Sequence, residues 1–179
     1  GRPICERPRE ADERSEAGHF EGDLVVGRKG TKACVLTLVD RYSRFQLSII
    51  LPDATRKSVE WGLSRLEKEH PEVFRTMKTI TFDNGTEFLN FKALEWSCRL
   101  RKKRCDIFYA RAYRASDRPS NENSNRILRR FIPKGTDISK ITQSGIRKIQ
   151  DWMNNLPRKI LGGKTAEERM WEYIKDKTA

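Results

Sequence analysis

The sequence predicts a mixed α/β fold: a five-stranded sheet, three antiparallel strands then two parallel ones, flanked by helices and followed by extra C-terminal helices. Three observations predict it. Three short strand-like runs follow one another through short loops, the pattern of an antiparallel meander. Two further strand-like runs are then separated by helical periodicity, as βα crossovers to parallel strands require. The last third of the chain carries helical signals alone.

The elements can be justified in order. Residues 1–18 are polar, contain Pro3, Pro8 and Gly18, and read as an extended N-terminal arm; residues 19–179 read as one domain with a C-terminal helical extension. Phe20–Val26, Cys34–Val39 and Phe45–Leu51 form the meander. Thr55–His70 is predicted helical, with Val59, Leu63 and Leu66 at i, i+4 and i+7 and Pro71 as the stop. Lys78–Phe82 is a strand, Asn90–Leu100 a helix, Asp106–Tyr109 a strand and Ala110–Pro119 an Arg-rich loop. Ser120–Ile132 and Thr142–Leu156 are helices, the second with Ile149, Trp152, Met153 and Leu156 on one face. Thr165-Ala166-Glu167-Glu168 is a capping box opening a last helix, with Met170, Trp171 and Ile174 inward. Trp61, Trp96, Trp152 and Trp171 are expected as core or interface anchors.

Charge narrows the class of partner. The chain carries 37 basic and 25 acidic residues, a formal net charge of +12. Residues 99–164 hold 18 basic and 5 acidic residues, so this one stretch carries the whole excess. Arg99, Arg101, Lys102, Lys103 and Arg104 open it; Arg111, Arg114, Arg118, Arg126, Arg129 and Arg130 continue it. A solvated basic face would aid solubility, but so one-sided a block opposes its own folding and points to a polyanion, most simply nucleic acid. No apolar run approaches the length of a membrane span, and the first residues lack the apolar stretch of a secretory signal. Four cysteines without a Cys-x-x-Cys pair, and only two histidines, argue against a disulfide scaffold or a zinc site.

Three carboxylates stand out. Asp23 lies inside the first strand, where a buried acid needs a partner or a metal. Asp83 follows the fourth strand in Asp83-Asn84-Gly85, a sequence that also reads as an ordinary turn. Glu122 opens a basic helix, a place where an acid is also favoured simply by the helix dipole. Taken together, hard oxygen ligands converging from separate elements are what metal-assisted phosphoryl transfer needs, provided the first and fourth strands are neighbours.

Gly18-His19-Phe20-Glu21-Gly22-Asp23-Leu24-Val25, Asp83-Asn84-Gly85-Thr86-Glu87-Phe88, Ser120-Asn121-Glu122-Asn123 and Phe131-Ile132-Pro133-Lys134-Gly135-Thr136-Asp137 resemble the catalytic core of bacterial transposases of the "insertion sequence thirty" family. Asn154-Asn155-Leu156-Pro157-Arg158-Lys159 and Gly163-Lys164-Thr165-Ala166-Glu167 are similar to that family's C-terminal pattern, so the resemblance runs from about Arg2 to Tyr173. It implies a ribonuclease-H-like fold shared with retroviral integrases, and a DDE triad of Asp23, Asp83 and Glu122 holding two Mg²⁺ or Mn²⁺ ions. It also implies DNA (transposon ends and target) as partner, a homo-oligomer in the active complex and a bacterial, cytoplasmic, nucleoid-associated location. The family's N-terminal helix-turn-helix region has no counterpart in these residues, which fits a catalytic core.

Three departures mark this sequence. Phe20 stands where the family usually has Trp, and Asp117-Arg118-Pro119 where Gln-Arg-Gly is common. Between Asp83 and Glu122 lie 38 residues, a few more than usual, with the excess expected in 99–115.

Arg126 and Arg129 fall at i+4 and i+7 from Glu122, on one helix face; the resemblance to integrases implies that such residues hold DNA phosphates, while the simpler reading is a surface pair with Glu122. Arg130, Lys134 and Arg118 complete the candidate DNA contacts. Glu21 and Glu87 are rival acids not expected to be essential ligands, and His19 is expected to be packed rather than catalytic. The sequence therefore reads as a DDE polynucleotidyl transferase that cleaves a DNA 3′ end and transfers it. The alternatives are a ribonuclease-H-like nuclease without strand transfer and a catalytically silent DNA-binding module.

Overall fold

A computed structural model describes residues 1–111 and 117–178. The centre of the molecule is the predicted meander: β2 (His19–Val26), β3 (Cys34–Asp40) and β4 (Gln46–Leu51), paired antiparallel. β5 (Thr79–Phe82) lies parallel beside β2, and β8 (Asp106–Tyr109) parallel beside β5. The mixed α/β sheet flanked by helices is as expected and is consistent with a ribonuclease-H-like fold.

Among the described residues the sheet has six strands, one more than predicted, in the order β1 (Arg2–Pro3), β8, β5, β2, β3, β4. The extra strand, β1, pairs parallel with the outer edge of β8. Proline has no N–H to lose at an edge, so Pro3 suits that position. The segment read as an extended arm is thus extended over Arg2–Pro3, but it then turns into a short helix, α1 (Arg9–Glu13). Its buried Arg7 donates to Thr81 Oγ1 on β5 (3.1 Å).

The period-two alternation of β2 sorts its side chains between two cores. Phe20 faces one side with Leu36, Leu38 and Ile80, covered by α2 (Arg56–Glu69), α3 (Pro71–Thr76) and α7 (Ala166–Thr178) through Val59, Leu63, Leu66, Val73, Met170 and Ile174. Gly22 is required on this side: a Cβ there would lie 2.2 Å from the Phe82 ring. Val25 faces the other way with Val35, under α5 (Pro119–Leu128) and α6 (Gln143–Asn154), which contribute Leu128, Ile146 and Met153. Glu21 and Asp23 share that second face, so the alternation aims both acids at α5.

Helix α6 also protects the sheet edge. Gln143, Gln150 and Asn154 accept hydrogen bonds from the backbone N–H groups of Ile50, Ser48 and Gln46 at 2.9, 2.7 and 2.8 Å, occupying the donors that β4 would otherwise present to another strand. The predicted capping box forms reciprocally: Thr165 N donates to Glu168 and Glu168 N to Thr165 Oγ1.

The predicted helix Asn90–Leu100 is shorter. α4 (Phe91–Glu95) gives way to a hairpin of β6 (Trp96–Ser97) and β7 (Lys102–Lys103). A buried ion pair explains the break: Arg104 bonds Glu67 of α2 (2.9 Å) while donating to Leu94 O (3.0 Å) at the end of α4, and Ser97 Oγ donates to Glu67 as well (2.6 Å). Helix α5 ends at Leu128, short of the predicted Ile132, and begins at Pro119, which occupies the first helical turn where a missing N–H costs nothing. Trp61, Trp96 and Trp152 are about half exposed, so they are not core residues. Residues 112–116 of the predicted Ala110–Pro119 loop, Arg114 included, lie outside the described residues.

Candidate active site

Asp23 and Asp83 meet because their strands are parallel neighbours. The register pairs Glu21 with Thr81; two residues further along, β2 carries Asp23 and the chain leaving β5 carries Asp83. Asp83 satisfies both of its sequence readings at once. Its Oδ1 accepts from Gly85 N (3.0 Å) to make the turn, and its Oδ2 accepts from Arg118 Nη2 (2.9 Å). Arg118 Nη1 reaches Asp23 Oδ1 (3.3 Å) and Gly22 O (2.9 Å). One guanidinium therefore bridges both aspartates, and Arg118, a candidate phosphate contact by sequence, is placed between the acids.

Asp23 is also held from the helix: Asn125 Nδ2 donates to its Oδ2 (2.6 Å). The Asp23 side chain keeps 26% of its surface exposed and that of Asp83 keeps 42%, so both open to solvent. Burial raises the Asp23 pKa above the usual carboxylate range; Arg118 opposes that shift and Asp83 reinforces it.

Glu122 lies in the first turn of α5 and is exposed. Arg118, the residue just before the helix, and Asn125, three residues after Glu122, both touch Asp23. Glu122 thus lies within one helical turn of a residue that touches Asp23, with its own side chain exposed. Among the described residues, no three His, Cys, Asp or Glu side chains are grouped tightly enough to hold a metal. The donor set still fits a hard divalent cation, because two carboxylates already converge on one positive charge and a third lies on the adjoining helix.

The start of α5 is set by Glu21, the rival acid of the sequence reading, and by two arginines that the sequence did not single out. Glu21, fully buried, accepts from Asn121 N (2.7 Å) and from Arg41, which also donates to Ala11 O (2.7 Å). Arg44 donates to Ser120 Oγ (2.8 Å). Glu21 thus anchors the turn that presents Glu122, which is a structural role. An acid two residues before Asp23 on the same strand face was the only available signal. Glu87 sits in a 3-10 turn (Thr86–Phe88) after the Asp83 turn. His19 is packed between Thr79 (2.9 Å) and Glu16 (3.1 Å), and burial lowers its pKa.

The basic segment divides. Arg104 is buried on Glu67, Arg111 pairs with Asp117 (2.6 Å), and Arg129 donates to Val26 O (3.0 Å) at the end of β2. Arg126, Arg130 and Lys134 are exposed on and just beyond α5, Arg126 donating to Asn123 (2.8 Å). No helix among the described residues is long and apolar enough to cross a membrane.

No family model matches the chain. Individual proteins do. It is 33% identical over 169 residues to a probable transposase for the insertion-like sequence element IS1161 of Streptococcus salivarius, covering 94% of this chain and 46% of that protein. Identity to the transposase InsI for insertion sequence element IS30A of Escherichia coli K12 is 34% over 168 residues, covering 94% of this chain and 42% of that protein. Over nearly its whole length the chain is similar to transposases of the IS30 type. The transposase for IS1086 of Cupriavidus metallidurans is 36% identical over 155 residues, 87% of this chain and 43% of its own. A more distant likeness, 28% over 160 residues, is to a putative integrase of a Spiroplasma virus. The chain spans less than half the length of these transposases.

Proposed function

We propose that this chain is the catalytic core of a DDE transposase that cleaves DNA to free a 3′-OH and joins that end to target DNA. The observation that carries the reading is the convergence of Asp23 and Asp83, from adjacent parallel strands, on a single cationic group beside the helix that bears Glu122. Asp23, Asp83 and Glu122 would hold Mg²⁺ or Mn²⁺, two ions in the complete site, which would supply Lewis-acid stabilisation of the attacking and leaving oxygens.

The chain's own residues do the rest. Asn125 orients Asp23 through its 2.6 Å hydrogen bond, and Glu21 fixes the helix turn that carries Glu122. Arg118 neutralises the aspartate pair when no other cation is there. Arg126, Arg130 and Lys134 extend positive charge from the carboxylates along α5 and hold the DNA backbone. In cleavage, the oxygen of water bonds to phosphorus as the bond to the 3′ oxygen breaks, and that oxygen leaves protonated. In transfer, this hydroxyl attacks a target phosphodiester and displaces another 3′ oxygen. The active complex is proposed to be a homo-oligomer acting on chromosomal DNA.

Glu122→Gln tests the reading. Removing the third carboxylate charge is expected to cost about 4 kcal/mol of barrier, slowing metal-dependent cleavage roughly a thousandfold. The melting temperature should hold, because Glu122 is exposed, and DNA affinity should hold or rise. Near-normal cleavage would remove Glu122 from the triad. Cleavage without joining of a pre-cleaved end would favour a nuclease, and DNA binding without any cleavage would favour a silent module.

A further inference from the structure

Phe131 and Trp152 form a T-shaped pair on the surface, ring centroids 4.9 Å apart, and they keep 42% and 45% of their areas exposed. Neither is needed to fill the core below, where Leu128, Ile132, Ile146 and Met153 already close the contact between α5, α6 and the sheet. Two large aromatic faces left open to water on adjoining elements call for an occupant.

The surroundings indicate which one. Arg130 precedes Phe131, Lys134 follows three residues later, and Lys148 lies one helical turn before Trp152; all three are exposed, and no ion pair of theirs is found among the described residues. A second copy placing the same patch against itself would bring like charges together, whereas a polyanion would neutralise them. Position adds to this. Helix α5 has 10 residues, about 15 Å at the usual rise, so a strand leaving the carboxylates along Arg126 arrives at the aromatic pair.

We propose that Phe131 and Trp152 form a stacking site for an unpaired base of the DNA strand held along α5. The inference rests on the reading of this chain as a DNA-cleaving core and names a part of its substrate: DNA with a single-stranded or unstacked end, not a fully paired duplex. Every base presents a π-face, so such a site binds with little regard to sequence, while the flanking cations hold the backbone.

The test compares three labelled DNAs by fluorescence anisotropy, in EDTA so that nothing is cleaved: a blunt duplex, the duplex with a single-stranded tail, and the same tail carrying abasic sites. Trp152→Ala should weaken binding of the tailed duplex about tenfold, the usual scale for loss of one base–aromatic stack, and leave the other two DNAs unchanged. Trp152→Phe should keep most of the affinity. It guards against misfolding of the alanine variant, and the tail is expected to quench tryptophan fluorescence in the parent more than in Trp152→Phe. No loss, or an equal loss on all three DNAs, would overturn the proposal. So would a parent dimer in sedimentation that Trp152→Ala dissolves, which would make a second copy the occupant. A chain that cleaves DNA but ignores tails overturns this site alone. One that prefers tails but never cleaves overturns the assignment of the carboxylates alone.

Discussion

Two acids on one face of β2 have opposite surroundings. Glu21 is fully buried, with Arg41 and a backbone N–H of α5 as its partners. Asp23, two residues on, is partly open and is held mainly by the side chains of Arg118 and Asn125, with the neighbouring Leu24 N–H as a backbone partner. The Glu21 partners are locked: Arg41 is itself buried and tied to Ala11, and a backbone donor cannot rotate away. The partners that reach Asp23 from outside its own strand stand on flexible side chains at a solvent-facing rim. Burial with fixed partners makes an acid part of the scaffold, and open placement with displaceable partners makes it available for chemistry.

The largest effect that would break this contrast comes from Glu21. Glu21→Ala strands the Arg41 charge in the interior and unties the first turn of α5. Removing one partner of a buried pair costs about 3–5 kcal/mol, so the urea midpoint should fall steeply. An unchanged midpoint would show Arg41 to be as adaptable as Arg118, and the distinction between the two acids would fail.

Arg118→Ala is a smaller and more revealing change. Both aspartates are part-exposed, so solvent screens the bridge, and its loss should cost about 1 kcal/mol without divalent ions. The rise in melting temperature with Mg²⁺ should then be larger than in the parent, because no internal cation competes for the carboxylates. Thermal melts with and without Mg²⁺ measure both quantities. An equal rise in the two proteins would mean that the ion does not use the seat Arg118 occupies.

The contrast between Glu21 and Asp23 also marks how far the sequence could be read. The meander, the strand-end position of Asp83 and the capping box of α7 were legible because each rests on residues close together in the chain. What the sequence hid depends on distant partners. Glu67 and Arg104, 37 residues apart, turn a predicted helix into a hairpin. Glu21 and Arg41 convert a rival acid into an anchor. Pairing with β8, rather than any pattern in Arg2–Pro3, makes the sixth strand. Charge counting found the basic segment but could not separate arginines already committed, such as Arg104 and Arg111, from those still open, such as Arg130.

The smallest effect sharpens the comparison through pH. Burial leaves Asp23 harder to ionise when folded than when unfolded, Arg118 notwithstanding. A carboxyl whose folded pKa is raised gives its full contribution to stability below the unfolded value, near 4, and loses it as pH rises through the folded value. Asp23→Asn cannot ionise and escapes that loss. In chelator, the melting temperature of the variant relative to the parent should therefore climb as pH rises from about 4, then level off once Asp23 is fully ionised. Mg²⁺ at neutral pH should reverse the order, since the cation rewards the charge that burial penalises and the amide offers it none. A difference that stays flat across the pH range would mean that Asp23 is solvated like an ordinary surface acid. A reversal that fails to appear on adding Mg²⁺ would leave the strain without the chemistry, and Asp23 would join Glu21 as part of the scaffold.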